Sequence, residues 1–352
     1  MRVYVGTYTE SQNGKGEGIY AFDLDEASGA FSPTGTTTGV DNPAWLVTNA
    51  DHSVLYAALE GAAGQVAALR IDPESGDLAE INRVSSEGAS PCYISLSRDG
   101  STLFVANYTS GSIAALPVGT DGGLHPASDS IQREGSSVDP DRQQGPHAHM
   151  ILPSPDGAYV LVTDLGTDEI TSYQFDAEDG LFVRSDGPPI VASLTAGSGP
   201  RHFAFSPDGG KVYVINELGS TLAVFDFDDA SGSLRPLQTI STLPVDFTGQ
   251  NYPAQVLVSP DGRFVYGSNR LHDSIAVWKI DEATGIVATM GNVSTQGNFP
   301  RNFALDPSGR WLVVANQNSD SLVTFSRDPE SGALSQQGAL LPVPSPVCIL
   351  FL

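Results

Sequence analysis

The sequence predicts an all-β fold, a seven-bladed β-propeller with four-stranded antiparallel blades. Three observations carry this: a proline recurring about every fifty residues, two turn classes recurring with it, and chain ends that each hold part of one blade. The prolines are Pro43, Pro91, Pro146, Pro200, Pro253, Pro300 and Pro346, one for each blade. After Pro200 the pattern gives a strand from His202 to Ser206, a turn at Pro207-Asp208-Gly209, a second strand from Lys211 to Asn216 and a third from Thr221 to Asp228. Turns such as Asp99-Gly100, Asp156-Gly157 and Asp261-Gly262 between apolar runs are hairpin signals, because these residues tolerate positive φ. A second turn class closes each third strand: Asp25 to Gly29, Asp72 to Gly76, Asp176 to Gly180, Asp228 to Gly232, Asp281 to Gly285 and Asp328 to Gly332, with a looser version near Asp121. A fourth, variable strand completes the blade.

The last repeat begins at Pro346 and runs out after one strand, Val347 to Leu352, whereas the chain starts with the pattern of a second strand, Val3 to Gly6. Pairing of the N- and C-terminal strands within one blade would close the ring and remove free sheet edges. The expectation is one domain over residues 1–352.

Composition narrows the function classes. With 37 Gly, 24 Pro and few long helix-forming stretches, short strands and tight turns are favoured. A formal charge of −24 disfavours nucleic acid and anionic membrane surfaces as partners. Met1 to Thr9 reads as a strand and lacks the basic stretch and apolar run of a signal peptide, and no segment is apolar for long enough to span a bilayer. A soluble, cytoplasmic protein is expected. Cys92 and Cys348 cannot by themselves form a disulfide framework or a structural zinc cluster, and they read as buried free thiols.

Candidate functional residues emerge where the repeats disagree. The start of a hairpin's first strand and the end of its second lie at the same end of the sheet. The position after each proline reads Ala44, Cys92, His147, Arg201, Ala254, Arg301 and Val347. The end of the second strand reads Thr7-Tyr8, Leu59-Glu60, Asn107-Tyr108, Asp164-Leu165, Asn216-Glu217, Asn269-Arg270 and Asn316-Gln317. His147, Arg201, Arg301, Glu217, Arg270 and Gln317 are therefore expected at one mouth of the central channel.

Arginine presents a planar fork that matches a carboxylate or phosphate, and the same donors can stabilise an oxyanion. Glu217 or His147 could serve as general base. His147 and His149 would share a face if their segment is extended. Each residue also has a structural reading. The arginines could form rim ion pairs, His149 and His202 could be satisfied structural histidines, and the Asn107, Asn216, Asn269 and Asn316 amides could bind turn backbone, with their counterpart Asp164 open to either role. Asp168, Asp273 and Asp320 fall in turns, as solvated or capping groups. Without a Cys or carboxylate at a recognised spacing, His147 and His149 are weak metal ligands.

The segments Gln144-Gly145-Pro146-His147-Ala148-His149, Gly199-Pro200-Arg201-His202, Asn216-Glu217-Leu218, Ser268-Asn269-Arg270 and Phe299-Pro300-Arg301-Asn302-Phe303 resemble the lactonase family of seven-bladed propellers. This family includes a bacterial type of 6-phosphogluconolactonase and fungal carboxymuconate cyclases. The resemblance runs from Val5 to the end of the chain and implies a lactone as substrate, with His147, Glu217, Arg201 and Arg270 as the catalytic set. At Ala254-Gln255-Val256-Leu257 the chain departs from the acid or histidine expected in the family. The reaction expected is hydrolysis of 6-phosphogluconolactone or a similar aldonolactone, with Arg301, His149, Asp164 and Gln317 binding the anionic substrate and with neither metal nor organic cofactor. The alternatives are a lactonising enzyme acting on carboxymuconate-like diacids and a noncatalytic protein-binding scaffold. No oligomeric state is assigned.

The acidic excess, with lysine only at positions 15, 211 and 279, also suggests a surface adapted to high salt. On that expectation the melting temperature holds or rises as KCl is added, and a steady fall across the salt series contradicts it.

Overall fold

The computed structural model describes residues 1–183 and 189–352. The fold is a seven-bladed β-propeller built from seven antiparallel sheets. Blade 1 comprises Pro43–Thr48, Val54–Leu59, Gln65–Ile71 and Leu78–Ser85, and blades 2 to 6 begin at Pro91, Ala148, Pro200, Tyr252 and Pro300. Blade 7 takes its first strand, Pro346–Phe351, from the C-terminal end and its other three, Arg2–Thr7, Ile19–Leu24 and Phe31–Thr37, from the N-terminal end. The terminal strands pair antiparallel, with Tyr4 opposite Leu350 and Gly6 opposite Cys348, as the sequence predicts. In blade 3 the fourth position is divided between Leu181–Phe182 and Ile190–Ser193, which pair with opposite ends of the third strand.

Two compact units are distinguished, one of Met1–Gly39, His202–Asp226 and Pro236–Leu352, the other of Val40–Arg201 and Phe227–Arg235. In each, the core lies between facing sheets, because a strand alternates its side chains and both blade faces are covered. In the second unit Tyr56, Val66 and Ala68 of blade 1 pack against Ile94, Val105 and Ala114 of blade 2. In the first, Tyr266 and Val277 of blade 5 pack against Phe303, Val314 and Phe325 of blade 6, and Val3, Val5 and Phe22 of blade 7 against Trp311 and Val313.

The two turn classes do different work. In the turns closing the third strands, the aspartate accepts backbone N–H groups two and three residues on and often the following hydroxyl, as Asp72 does from Glu74, Ser75 N–H and Ser75 Oγ. Asp281 and Asp328 repeat the arrangement. The turn then ends on glycine in the left-handed region, and in places no other residue fits. A Cβ on Gly332 would lie 2.5 Å from the Phe264 ring, and one on Gly232 2.6 Å from Tyr159.

That close approach lets the neighbouring blade hold the turn. Tyr56, Tyr213 and Tyr266 hydroxyls donate to the carbonyls of Gly122, Gly285 and Gly332, and the Trp311 indole to Glu26. Burial pushes these three tyrosines up to about 12.

A third device sits just before the third strand, where Asp168, Asp273 and Asp320 adopt φ of 59°, 53° and 51°. Their carboxylates accept the backbone N–H of Gly199, Phe299 and Ser345, each the residue before the proline that opens the next blade. They are capping groups.

Hydrogen bonds from the turn hold the ionised form of its aspartate: the Ser28 hydroxyl lowers Asp25, the Ser75 N–H lowers Asp72, the Thr284 hydroxyl lowers Asp281 and the Ser331 N–H lowers Asp328. A depressed folded-state value gives stability that is present above the unfolded value of about 4 and lost as pH falls through the folded one. The melting temperature should therefore fall below about pH 4. The deficit of Asp72→Asn relative to wild type should be largest at pH 7 and shrink by pH 3, and an equal deficit at both would refute the linkage.

Candidate functional site

In the unit that carries blade 3, strand register corrects the alignment of the repeats. Pro43 and Pro91 stand opposite Leu59 and Asn107, but the residue opposite Asp164 is Ala148. The first strand of blade 3 thus starts at Ala148 rather than directly behind Pro146. His149 takes the bulge position filled by Ala44 and Cys92, and His147 stands in the segment leading to the strand. A bulge re-aims a side chain and shifts the pairing beyond it by one residue.

The two histidines still meet on one ring. His147 stacks on Tyr108 with centroids 4.6 Å apart and planes at 16°, and His149 meets the same ring edge-on at 5.4 Å. His147 is half-buried. Its Nδ1 lies 2.9 Å from the Tyr108 carbonyl oxygen, an acceptor only, so Nδ1 carries a proton and in the neutral ring Nε2 holds the lone pair. The backbone of His147 is fixed on both sides, its N–H donating to Asp164 Oδ1 at 2.7 Å and its carbonyl accepting from Leu165 N–H.

Asp164 is fully buried, so it acts beneath the surface that a substrate would touch. Its Oδ1 also accepts from Gly166 and Thr167 N–H, and its Oδ2 accepts from Arg133 Nε at 2.6 Å. Arg133 is buried too, and it donates to the Tyr173 hydroxyl. The neighbouring Asp164 carboxylate and Tyr173 offset the burial that disfavours its charge, and the guanidinium stays ionised.

His149 is buried, with Nδ1 3.7 Å from Cys92 Sγ. Arg201 is buried, and its carbonyl accepts from Thr163 Oγ1.

The other unit carries the remaining predicted residues. Glu217 and Arg270, both buried, form an ion pair at 2.6 Å. Arg270 also donates to the carbonyls of Tyr252 and Pro253 and stands 5.2 Å over the Phe299 ring, so its plane is held by both backbone and aromatic contacts. A guanidinium this close favours the ionised form of Glu217 and makes it a weaker base.

Arg301 lies half-buried over the Tyr8 ring at 5.1 Å. Gln317 is buried and lines a polar cleft of about 380 Å³ with Lys15, Phe299 and Asp320, and its Oε1 meets no hydrogen-bond donor among the described residues. His202 is a satisfied core histidine, its Nδ1 2.5 Å from Gln255 Oε1.

The amides at the ends of the second strands are structural: Asn107, Asn269 and Asn316 Nδ2 donate to the carbonyls of Ser86, Thr242 and Thr295, and Asn216 to the Thr221 hydroxyl. Sequence reasoning passed over Tyr108, Arg133, Tyr252 and Phe299. Tyr108 stood in the same repeat position as Glu217 and Arg270, which was a usable signal. Arg133 lies in a long connection with no repeat feature to mark it. Among the described residues, no three His, Cys, Asp or Glu side chains are grouped to hold a metal ion. Among the described residues, no helix is long and apolar enough to cross a membrane.

Residues 2–351 match the family described as the seven-bladed β-propeller lactonases, and the chain belongs to that family. It is 38% identical over 351 residues to the 6-phosphogluconolactonase of Bacillus subtilis, an alignment covering 99% of this chain and 97% of that one. The solved structure of the periplasmic gluconolactonase of Pseudomonas aeruginosa superposes with a TM-score of 0.93 at 36% identity, covering 99% and 98% of the two chains. A Lactobacillus plantarum protein superposes with a TM-score of 0.92 at 33% identity, covering 100% and 99%.

Removing one partner of a buried pair strands the other charge. Arg270→Met should therefore cost about 3–5 kcal/mol in urea unfolding, and adding Glu217→Gln should recover most of it. A single variant as stable as wild type would show that the pair carries no such constraint.

Proposed function

We propose that the chain is a lactonase that opens a sugar lactone by hydrolysis, with 6-phosphogluconolactone as substrate in the cytoplasm and His147 as general base. The observation that carries this is the imidazole fixed by the Tyr108 carbonyl at Nδ1, which leaves Nε2 to accept a proton. Membership of the lactonase family and the relatives' names support the reaction class.

In the reaction, a water oxygen bonds to the lactone carbonyl carbon as its proton passes to His147 Nε2. Arg201 and Arg270 stabilise the oxyanion, and Glu217 neutralises and orients Arg270. Collapse re-forms the carbonyl and breaks its bond to the ring oxygen. That oxygen takes the proton back from the imidazolium, giving the open hydroxy acid, whose carboxyl then ionises. Arg301 and Gln317 hold the phosphate and hydroxyl groups.

The test follows freshly generated 6-phosphogluconolactone and its unphosphorylated counterpart above their spontaneous hydrolysis. His147→Gln should lower kcat by about 10²- to 10⁴-fold. Arg301→Ala should raise KM for the phosphorylated lactone and leave the unphosphorylated one nearly unchanged. Wild-type turnover in His147→Gln would remove the histidine from the mechanism, and a wild-type protein that accelerates neither lactone would refute the function.

A further inference from the structure

Blade 3 departs from blades 2, 5 and 6 at two positions that touch. At the end of the second strand, Asn107, Asn269 and Asn316 each donate to the carbonyl of a Ser or Thr in the connection that precedes their blade. Those residues, Ser86, Thr242 and Thr295, share one backbone role: their N–H donates to Gly64, Ser220 and Asp273. Arg133 N–H does the same with Gly111, so Arg133 holds the corresponding position before blade 3, and Asp164 stands where blades 2, 5 and 6 have asparagine. A neutral side chain-to-backbone bond has been replaced by a buried ion pair, and both replacements occur in the blade that carries His147.

A latch alone does not require this. A buried ion pair adds little stability over a neutral arrangement and leaves a stranded charge if either partner is lost. Asparagine in the Asp164 position can accept through one oxygen only, and its amide nitrogen is already used as a donor in the other blades. A carboxylate can give one oxygen wholly to backbone donors and the other to a cation. Asp164 does this, with three N–H groups on Oδ1, that of His147 among them, and Arg133 on Oδ2. Arg133 is itself held by the Tyr173 hydroxyl and faces Glu169 at 3.6 Å.

We infer that Arg133 and Asp164 are positioning residues for His147: the pair fixes the backbone at His147 so that the ring lies on Tyr108 with Nδ1 aimed at its carbonyl, holding one tautomer with Nε2 basic. The inference rests on the proposed role of His147 for its effect on catalysis, but the tautomer is a property of the protein without substrate.

The test is long-range ¹H–¹⁵N correlation of the histidine rings, with the His147 signals assigned by their loss in His147→Gln, beside lactone hydrolysis. Wild type should show His147 as a single Nδ1–H tautomer. The double variant Arg133→Thr/Asp164→Asn, which rebuilds the pair found at Thr242 and Asn269, should fold and melt close to wild type. It should lose the single-tautomer pattern and drop kcat about ten-fold or more with KM little changed, part of what a positioned base supplies. Arg133→Lys, which keeps the charge, should keep both the pattern and most of the activity, and it decides the matter if the double variant does not fold. A double variant with wild-type ring signals and kcat overturns the inference, as does mixed tautomerism in wild type or in Arg133→Lys. If wild type hydrolyses no lactone, the function fails while the ring signals still judge the positioning pair.

Discussion

Each blade of this fold must be handed to the next through a connection whose backbone groups are partly removed from water, and at three of these connections the carboxylate of a left-handed turn residue meets that requirement. Asp168, Asp273 and Asp320 sit in the turn between the second and third strands and accept the N–H just ahead of the next blade's opening proline. A buried donor left unpaired costs as much as a lost hydrogen bond. The residue that forms the turn thus also fixes where the next first strand starts. The loops that carry Arg201, Arg301 and the approach to Pro346 inherit their positions from these three carboxylates.

The same economy of parts explains why functional groups gather where the repeats differ. At the ends of the second strands asparagine donates toward the preceding connection in three blades, and in a fourth Asn216 donates to Thr221 at the start of the third strand. The next residue is free of that duty, and there the chain places Tyr108, Glu217, Arg270 and Gln317. Arg270 shows how such a residue is held: two backbone carbonyls, a carboxylate and an aromatic face leave its guanidinium little freedom. A donor fixed in advance does not have to reorganise as charge develops on a substrate.

The blade count, the closure by terminal strands and the two turn classes were legible in the sequence, because each rests on local chemistry: φ limits at Gly and Asp, the period of two in strands, and proline at strand starts. The strands around Lys211–Asn216 and Thr221–Asp228 fall where the pattern puts them. The placement of His147 did not follow from the pattern, because Pro146 stands two residues ahead of the first paired residue, Ala148, whereas Pro43, Pro91 and Pro300 are themselves paired at the start of their ladders. The partners of the site residues were equally hidden. Arg133 reaches Asp164 across 31 positions, and His202 meets Gln255 across 53, both through tertiary packing alone. Gln255 is also where the chain departs from the residues its relatives are expected to carry, and the contact gives that departure a physical setting.

The two thiols bear on how the protein can be studied. Cys92 is enclosed by the carbonyls of Ala106, Ala148 and His149, and Cys348 sits opposite Gly6 in the closing blade; both are buried. Alkylating reagents need an exposed thiolate, which neither position offers in the native state. A fluorophore or spin label on a cysteine introduced at an exposed loop position could therefore be attached selectively with both native thiols in place, and uptake of label by Cys348 would report opening of the seam between the chain ends.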